Sequence, residues 1–220
     1  MVARPRRSWF QLCTLLGVLG VVVITVGLVT SPSGQPGDKA SGRQVLAWFA
    51  AHHGAQQVSN HIIAIGVVLL VFFFSMLIRW NGARALWASL AGLAGFIIAV
   101  SGFAFSGGVN GMLIGGYTDY STQTAQTLNV FMQDFFLPVI VGLGITAVGF
   151  GIAFLLSHEL PKWVGIIGII FGVGVALPSV AAFIALLGII AWVLLVSIWL
   201  CAKRPAMSLP STPELKEMSV

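Results

Sequence analysis

The stretch "HIIAIGVVLLVFFFSMLIRW", residues 61–80, opens on a histidine, carries an arginine next to its end and has no charged side chain between them. A bilayer's hydrocarbon core is ~30 Å thick and an α-helix rises ~1.5 Å per residue, so about 20 consecutive apolar residues make a crossing. His61–Ile78 suits that length. Working outward, Trp9–Thr30, Ala85–Phe105 and Val130–Leu156 do so too, the last with residues to spare for tilt or protrusion. The apolar block Trp163–Cys201 is too long for one crossing and suits two. Pro178–Ser179 supplies the break, because proline disfavours helical geometry in the residue before it. The first member of this hairpin is short, which allows the turn to fall several residues later. The expectation is an all-α, polytopic transmembrane bundle of six spans over residues 1–204. A disordered tail follows over 205–220, since its prolines and polar side chains offer no apolar face.

Composition points the same way. The chain is 58% apolar and only 8% charged, with a mean hydropathy of +1.00, whereas soluble domains carry roughly 25% charged residues. The net charge of +5 lies at segment boundaries, where it fits an anionic cytoplasmic leaflet and implies no nucleic-acid partner. Under the six-span reading, Arg4, Arg6, Arg7, Arg79, Arg84, Lys162, Lys203, Arg204 and Lys216 fall on one side. Lys39 and Arg43 fall on the other. Basic residues collect in cytoplasmic loops, so both termini are assigned to the cytoplasm of a bacterial plasma membrane. Trp9, Trp80, Trp87, Trp163 and Trp199 gather near the same face, as an interfacial aromatic belt does. "RPRRSWF" before an apolar run has some features of a signal peptide, with Val29 and Ser31 placed like a cleavage site. That run is longer than the ~7–15 residues of a signal core, and a retained first span is the reading adopted.

The connections divide by composition. "SPSGQPGDKAS", residues 31–41, is all turn-formers and reads as an exposed external loop. Ser41 then caps a short amphipathic helix with Val45, Leu46, Trp48 and Phe49 on one side. Such a helix lies on the outer leaflet with Trp48 and Phe49 in the headgroup zone, and Gly54 permits a bend before the second span. Residues 106–129 read as a second external loop, Gly-rich at first, in which Ser121 or Thr122 caps a helix running into the fourth span. The inner joints "RWNGAR" and "SHELPKW" are short.

Candidate chemistry is sparse. His53, Gln57 and His61 align at i, i+4 and i+8 if one helix runs unbroken through Gly54. With Asp134 they would make an outward His53/His61/Asp134 metal site. Metal sites want three or four converging ligands, so hydrogen bonding to headgroups and helix ends is the simpler account, and no metal is assigned. Bis-histidine haem is excluded, because His158 belongs to the inner joint and the other three histidines to the outside. Asp134 stands about one turn inside the fourth apolar run, and ionisable groups there often mark a substrate or ion path. Pro138 frees the carbonyl of Asp134, which favours a local kink. Asp134, His61, Asn60, Gln133 and His53 are therefore the candidate ligand-binding residues of an external vestibule. The glycine and threonine spacings at Gly92/Gly95, Gly142/Thr146/Gly149 and Gly165/Gly168/Gly172 read as close helix packing. Cys13 and Cys201, inside apolar runs, form no disulfide framework or metal spacing. Hydrolase, nucleotide-binding and paired-carboxylate motifs are missing, and His158–Glu159 reads as a polar turn. No catalytic residue or cofactor is assigned.

The external segment around Trp48, Phe49 and His53, and the later Pro161, Trp163, Gly165, Trp192 and Ser197 of "LPKWVGIIGIIFGVG…AWVLLVSIWL", resemble a group of small bacterial six-helix integral membrane proteins. The likeness covers Trp9 to Leu200. That family has no established activity, so it implies fold and membrane residence alone. The functional expectation is a non-enzymatic membrane component acting through the bilayer and other membrane proteins. The alternative is a small transporter or ligand-binding protein that takes a small molecule at its external face.

Overall fold

The computed structural model describes residues 7–177 and 180–202, the side chains of 7–14 excepted. Arg4, Arg6, the Pro178–Ser179 break, Lys203, Arg204, Lys216 and the 205–220 tail lie outside the described residues, as do the side chains of Arg7, Trp9 and Cys13. Among the described residues the chain is all-helical. In order it forms α1 (Arg7–Thr30), α2 (Gly42–Asn81), α3 (Leu86–Gly116), α4 (Thr122–Asp134), α5 (Phe136–Ser157), α6 (Lys162–Gly174) and α7 (Val180–Ala202). A 3-10 turn, Ala83–Ala85, enters α3. Four stretches are long and apolar enough to cross a membrane: Gly42–Asn81, Ala83–Gly116, Thr122–Ser157 and Val180–Ala202. Leu15–Thr30 of α1 and the whole of α6 are shorter apolar helices packed among them.

Glycine sets the helix spacing. A Cβ on Gly149 would stand 2.5 Å from the Cα of Gly92, and one on Gly142 would stand 2.5 Å from the carbonyl oxygen of Gly95. Backbone of α5 therefore lies directly on backbone of α3. Gly151 and Gly165, then Gly144 and Gly172, face each other in the same way between α5 and α6, each Cβ position within 2.8 Å of the opposing carbonyl oxygen. Lipid tails are as apolar as leucine, so helices in a bilayer associate through dispersion and close approach, which small residues permit. Of the glycines singled out by spacing, Gly92, Gly95, Gly142, Gly149, Gly165 and Gly172 stand at these contacts, joined by Gly144 and Gly151. Gly168 instead receives the ring of Trp192 from α7.

A chain of rings fills the centre. Phe74 lies 4.6 Å from Phe96 and 5.2 Å from Phe150 between ring centroids. Phe150–Phe154 and Phe154–Trp192 carry the contact across to α7. The indole N–H of Trp192 donates to the carbonyl of Val164, 2.8 Å away in α6. Trp192→Phe retains the ring body and removes that donor. The expected loss is about 0.5–1.5 kcal/mol, read as a small drop in the thermal midpoint of the purified protein. At the end of the bundle where α2 meets α3, buried Asn81 donates to Ser89 (3.1 Å) and accepts from Ser157 (3.3 Å), fastening three helices. Gly82, at φ 70°, makes the turn that sequence left as a short joint.

Two expectations about the other end are overturned. α2 does not bend at Gly54, and no separate helix lies flat before it; one helix of 40 residues runs from Gly42 to Asn81. A single helical glycine costs only ~1 kcal/mol, and a capping box anchors the start. Ser41 accepts from the Gln44 amide, while the Gln44 side chain accepts from the Ser41 amide at 2.9 Å. Phe49, expected among headgroups, is 0% exposed and belongs to a second small core with Val45, Leu113 and Ala125. The Gly-rich opening of residues 106–129 is likewise not a loop, because α3 continues to Gly116. Leu113 and Ile114 have an apolar partner to cover, and that packing outweighs the low helix propensity of Gly107, Gly108, Gly111 and Gly115. Ser121 does cap the next helix, accepting from the Thr124 amide at 3.1 Å. The helix is interrupted where a kink was expected: α4 ends at Asp134 and α5 starts at Phe136, and Pro138 and Val139 pack under Gly102. We call the end built from the start of α2, the end of α3, α4 and residues 31–41 the headpiece. Removing its cap with Ser41→Ala should cost about 1 kcal/mol, visible as faster amide exchange confined to the first turns of α2.

Candidate functional site

Where the headpiece meets the main core, polar side chains recur on the inner face of α2. Gln56 and Ser59 are buried there, and Asn60 is half-buried. Ser59 donates to the carbonyl of Gly27 in α1 at 2.8 Å, and Ser31 donates to the Gln56 amide oxygen at 3.1 Å. The Gln56 amide donates to Asn60 at 3.3 Å, and Asn110 from α3 reaches the same oxygen at 3.5 Å. Ser106 of α3 donates to the carbonyl of Met132 in α4 at 3.1 Å. Four elements thus meet in one polar layer between two apolar cores. The buried Oδ1 of Asn110 has no hydrogen-bond partner.

Residues 31–41 run across the headpiece as a strap, held by side chains. Asn129 donates to the carbonyl of Gly37 at 2.8 Å, Gln133 to that of Pro36 at 3.3 Å, and the Trp48 indole to that of Ser33 at 3.3 Å. This explains why a stretch of turn-formers adopts one path: its carbonyls are the acceptors for amides on α4 and an indole on α2.

The candidate residues separate into different surroundings. Asn60 and His61 line a groove of about 370 Å³ between α2 and α3, bounded below by Val67, Val100 and Phe103. His61 is exposed, and its Nδ1–H donates to the carbonyl of Gln57 at 2.7 Å. His53 bonds the Ala50 carbonyl at 3.3 Å and stacks on Tyr117 of the α3–α4 turn at 5.2 Å. His52 stacks on Trp48 at 4.8 Å. Gln133 is committed to the strap, and Asp134 is exposed at the end of α4. Asp134 is not part of the lining of the groove that holds Asn60 and His61. Among the described residues, no three of His, Cys, Asp and Glu converge as metal ligands would. His158 is the left-handed cap of α5, at φ 55°, at the opposite end of the bundle.

Sequence reading missed a cavity of about 190 Å³ inside the main core, lined from α1, α2, α3, α5 and α7. Its walls include Ile24, Phe74, Phe96, Ala99, Leu143 and Ile189. The only side-chain polar atoms on it are the hydroxyls of Thr25 and Thr146, which donate within their own helices to the carbonyls of Val21 (2.9 Å) and Gly142 (2.7 Å). Hydrophobic periodicity carries no signal for such a space, since a wall residue and a packed residue look alike in sequence. The polar layer did leave a signal: Gln56, Ser59 and Asn60 share a helical face just ahead of an apolar run. No protein-family model matches the chain, and no curated protein or solved structure shows significant similarity to it.

Proposed function

We propose that the chain is a six-span protein of a bacterial plasma membrane, both termini cytoplasmic, which acts without catalysis by presenting its external headpiece to another membrane protein. One observation carries this reading. Counting the ~20 residues of a crossing from Trp80 in α2, from Trp87 in α3 and from Ser157 in α5 arrives at Asn60, Gly107 and Leu137. Those positions flank the polar layer of Gln56, Asn60, Ser106 and Asn110. A layer of amides and hydroxyls is what the outer edge of the hydrocarbon favours, because unpaired polar groups are expensive deeper in. Beyond it, Gly42–Ser59 of α2 extends roughly 27 Å, stiffened by its own core and by the strap. Met112 and Phe131 remain exposed on the headpiece.

Apart from His61 in the α2–α3 groove, the described titratable side chains stand in joints, in the headpiece or at helix ends, which supports a non-catalytic role. The vestibule reading asks for Asp134, Gln133, Asn60, His61 and His53 around one space, which the cavities above do not provide. Two measurements test the proposal. In a background with Cys13 and Cys201 replaced by alanine, an impermeant maleimide should label Lys39→Cys and Asp119→Cys in intact spheroplasts. Lys162→Cys should react only after permeabilisation, and the reverse pattern ends the orientation. A photo-crosslinking residue at Met112 or Phe131 should give a discrete protein adduct in cells that the same residue at Ile170 does not. No adduct at either headpiece position would end the partner role.

A further inference from the structure

The apolar cavity of the main core is open along one side and so has both a chemistry and a mouth. Its deep walls, Phe74, Phe96, Ala99 and Ile189, are buried, while Leu28 on α1 and Phe136 on α5 line the same space and are exposed. Both exposed residues lie near the polar layer, Leu28 next to the Gly27 whose carbonyl accepts from Ser59, and Phe136 one turn after the Met132 whose carbonyl accepts from Ser106. The gap between them has a structural origin. The end of α6 packs at Gly144, where a Cβ would meet Val175 at 2.5 Å and the Gly172 carbonyl at 2.8 Å. The first two turns of α5 therefore project past α6 and leave a lateral opening towards α1 and α7.

From this geometry we infer that the cavity is a binding site for one hydrocarbon chain of an outer-leaflet lipid, entering between Leu28 and Phe136. The inference rests on the membrane reading above. Both threonine hydroxyls on the walls donate within their own helices and the remaining side chains are apolar, so the site favours a hydrocarbon over an ion or a sugar. An apolar cavity of about 150 Å³ stays dry and takes up benzene; at about 190 Å³ this one holds a segment of roughly seven or eight carbon atoms on the same scale. Left empty, its walls forfeit dispersion contacts on one side. The medium at the mouth is itself fatty-acyl chain, whose tip can fill the space while its headgroup stays at the interface.

The test uses the full chain in nanodiscs of phosphatidylcholine carrying a photoactivatable diazirine on one acyl chain, with adducts mapped by peptide mass spectrometry. Ala99 and Ile189, both buried, should be labelled, alongside the lipid-facing Ile170, which is 59% exposed. Leu28→Trp adds bulk at a lip that is 56% exposed, and should lower labelling of Ala99 and Ile189 at least threefold while leaving Ile170 unchanged. Phe136→Trp, at the other lip, provides the same measurement should the first variant fold poorly. Labelling of Ile170 with none at Ala99 or Ile189 overturns the lipid site, and so does labelling that neither lip variant reduces. If xenon enters the cavity of the purified protein while the acyl probe does not, the space is closed to lipid and the inference fails. An unlabelled Ile170 would instead count against the membrane reading, so the two failures are distinguishable.

Discussion

Gly149→Leu should separate α3 from α5 and strip the protein of most of its thermal stability. The backbone of Gly92 occupies the place where the new side chain would begin, with its Cα 2.5 Å from the Cβ position. Backbone cannot rotate away as a side chain can, so relief requires moving a whole helix. Overpacking in a well-filled core costs about 1–3 kcal/mol, occasionally more; Gly149→Ala should fall in that range and Gly149→Leu at or beyond its upper end. Gly111 makes the control, because nothing lies within 4 Å of its Cβ position. Gly111→Ala should be neutral, or stabilising by up to about 1 kcal/mol through better helix propensity. Thermal unfolding of the purified variants compares the three. Equal midpoints for Gly149→Leu and Gly111→Ala would mean that α3 and α5 do not lie backbone to backbone.

Phe49→Ala and Phe74→Ala should differ, although Phe49 is 0% and Phe74 1% exposed. In the proposed arrangement Phe49 is sheltered from water, so truncation forfeits its hydrophobic transfer as well as its packing, about 3–5 kcal/mol. Phe74 is sheltered from lipid, which solvates a phenyl ring well, so only packing and cavity terms remain. The headpiece loss should appear locally. Amides in Gly42–Ser59 would exchange far faster, whereas Phe74→Ala would lower global unfolding with a smaller change. The reverse order of effects would move the water boundary away from the polar layer.

Much of this architecture was legible along the chain. Six apolar segments, the capping roles of Ser41 and Ser121, the irregular course of residues 31–41, the break near Asp134 and the packing role of the glycines follow from local chemistry. Two errors share one cause. Gly54 and the cluster at Gly107–Gly116 carry low helix propensity, which by itself favours a bend or a loop. What kept them helical was distant: Val45 and Phe49 on α2 found Leu113 on α3 and Ala125 on α4. The surroundings of the candidate vestibule residues were not legible for a related reason. Gln133 had another use, donating to the carbonyl of Pro36, and sequence gives no means of knowing which acceptor a distant strap will present.

The sequence by itself determined which segments avoid water, how long they are, and which faces allow close approach, because each depends on side-chain transfer energies and on spacing within one helix. Tertiary structure alone decided that α2 and α3 run on past the main core and build a second one with α4, that amides from α2 and α3 meet between the cores, and that a space opens where α6 ends short of α5. Those features depend on which surfaces meet and how far each helix extends beside its neighbour. That is a property of the assembled bundle, to which periodicity within any single segment is blind.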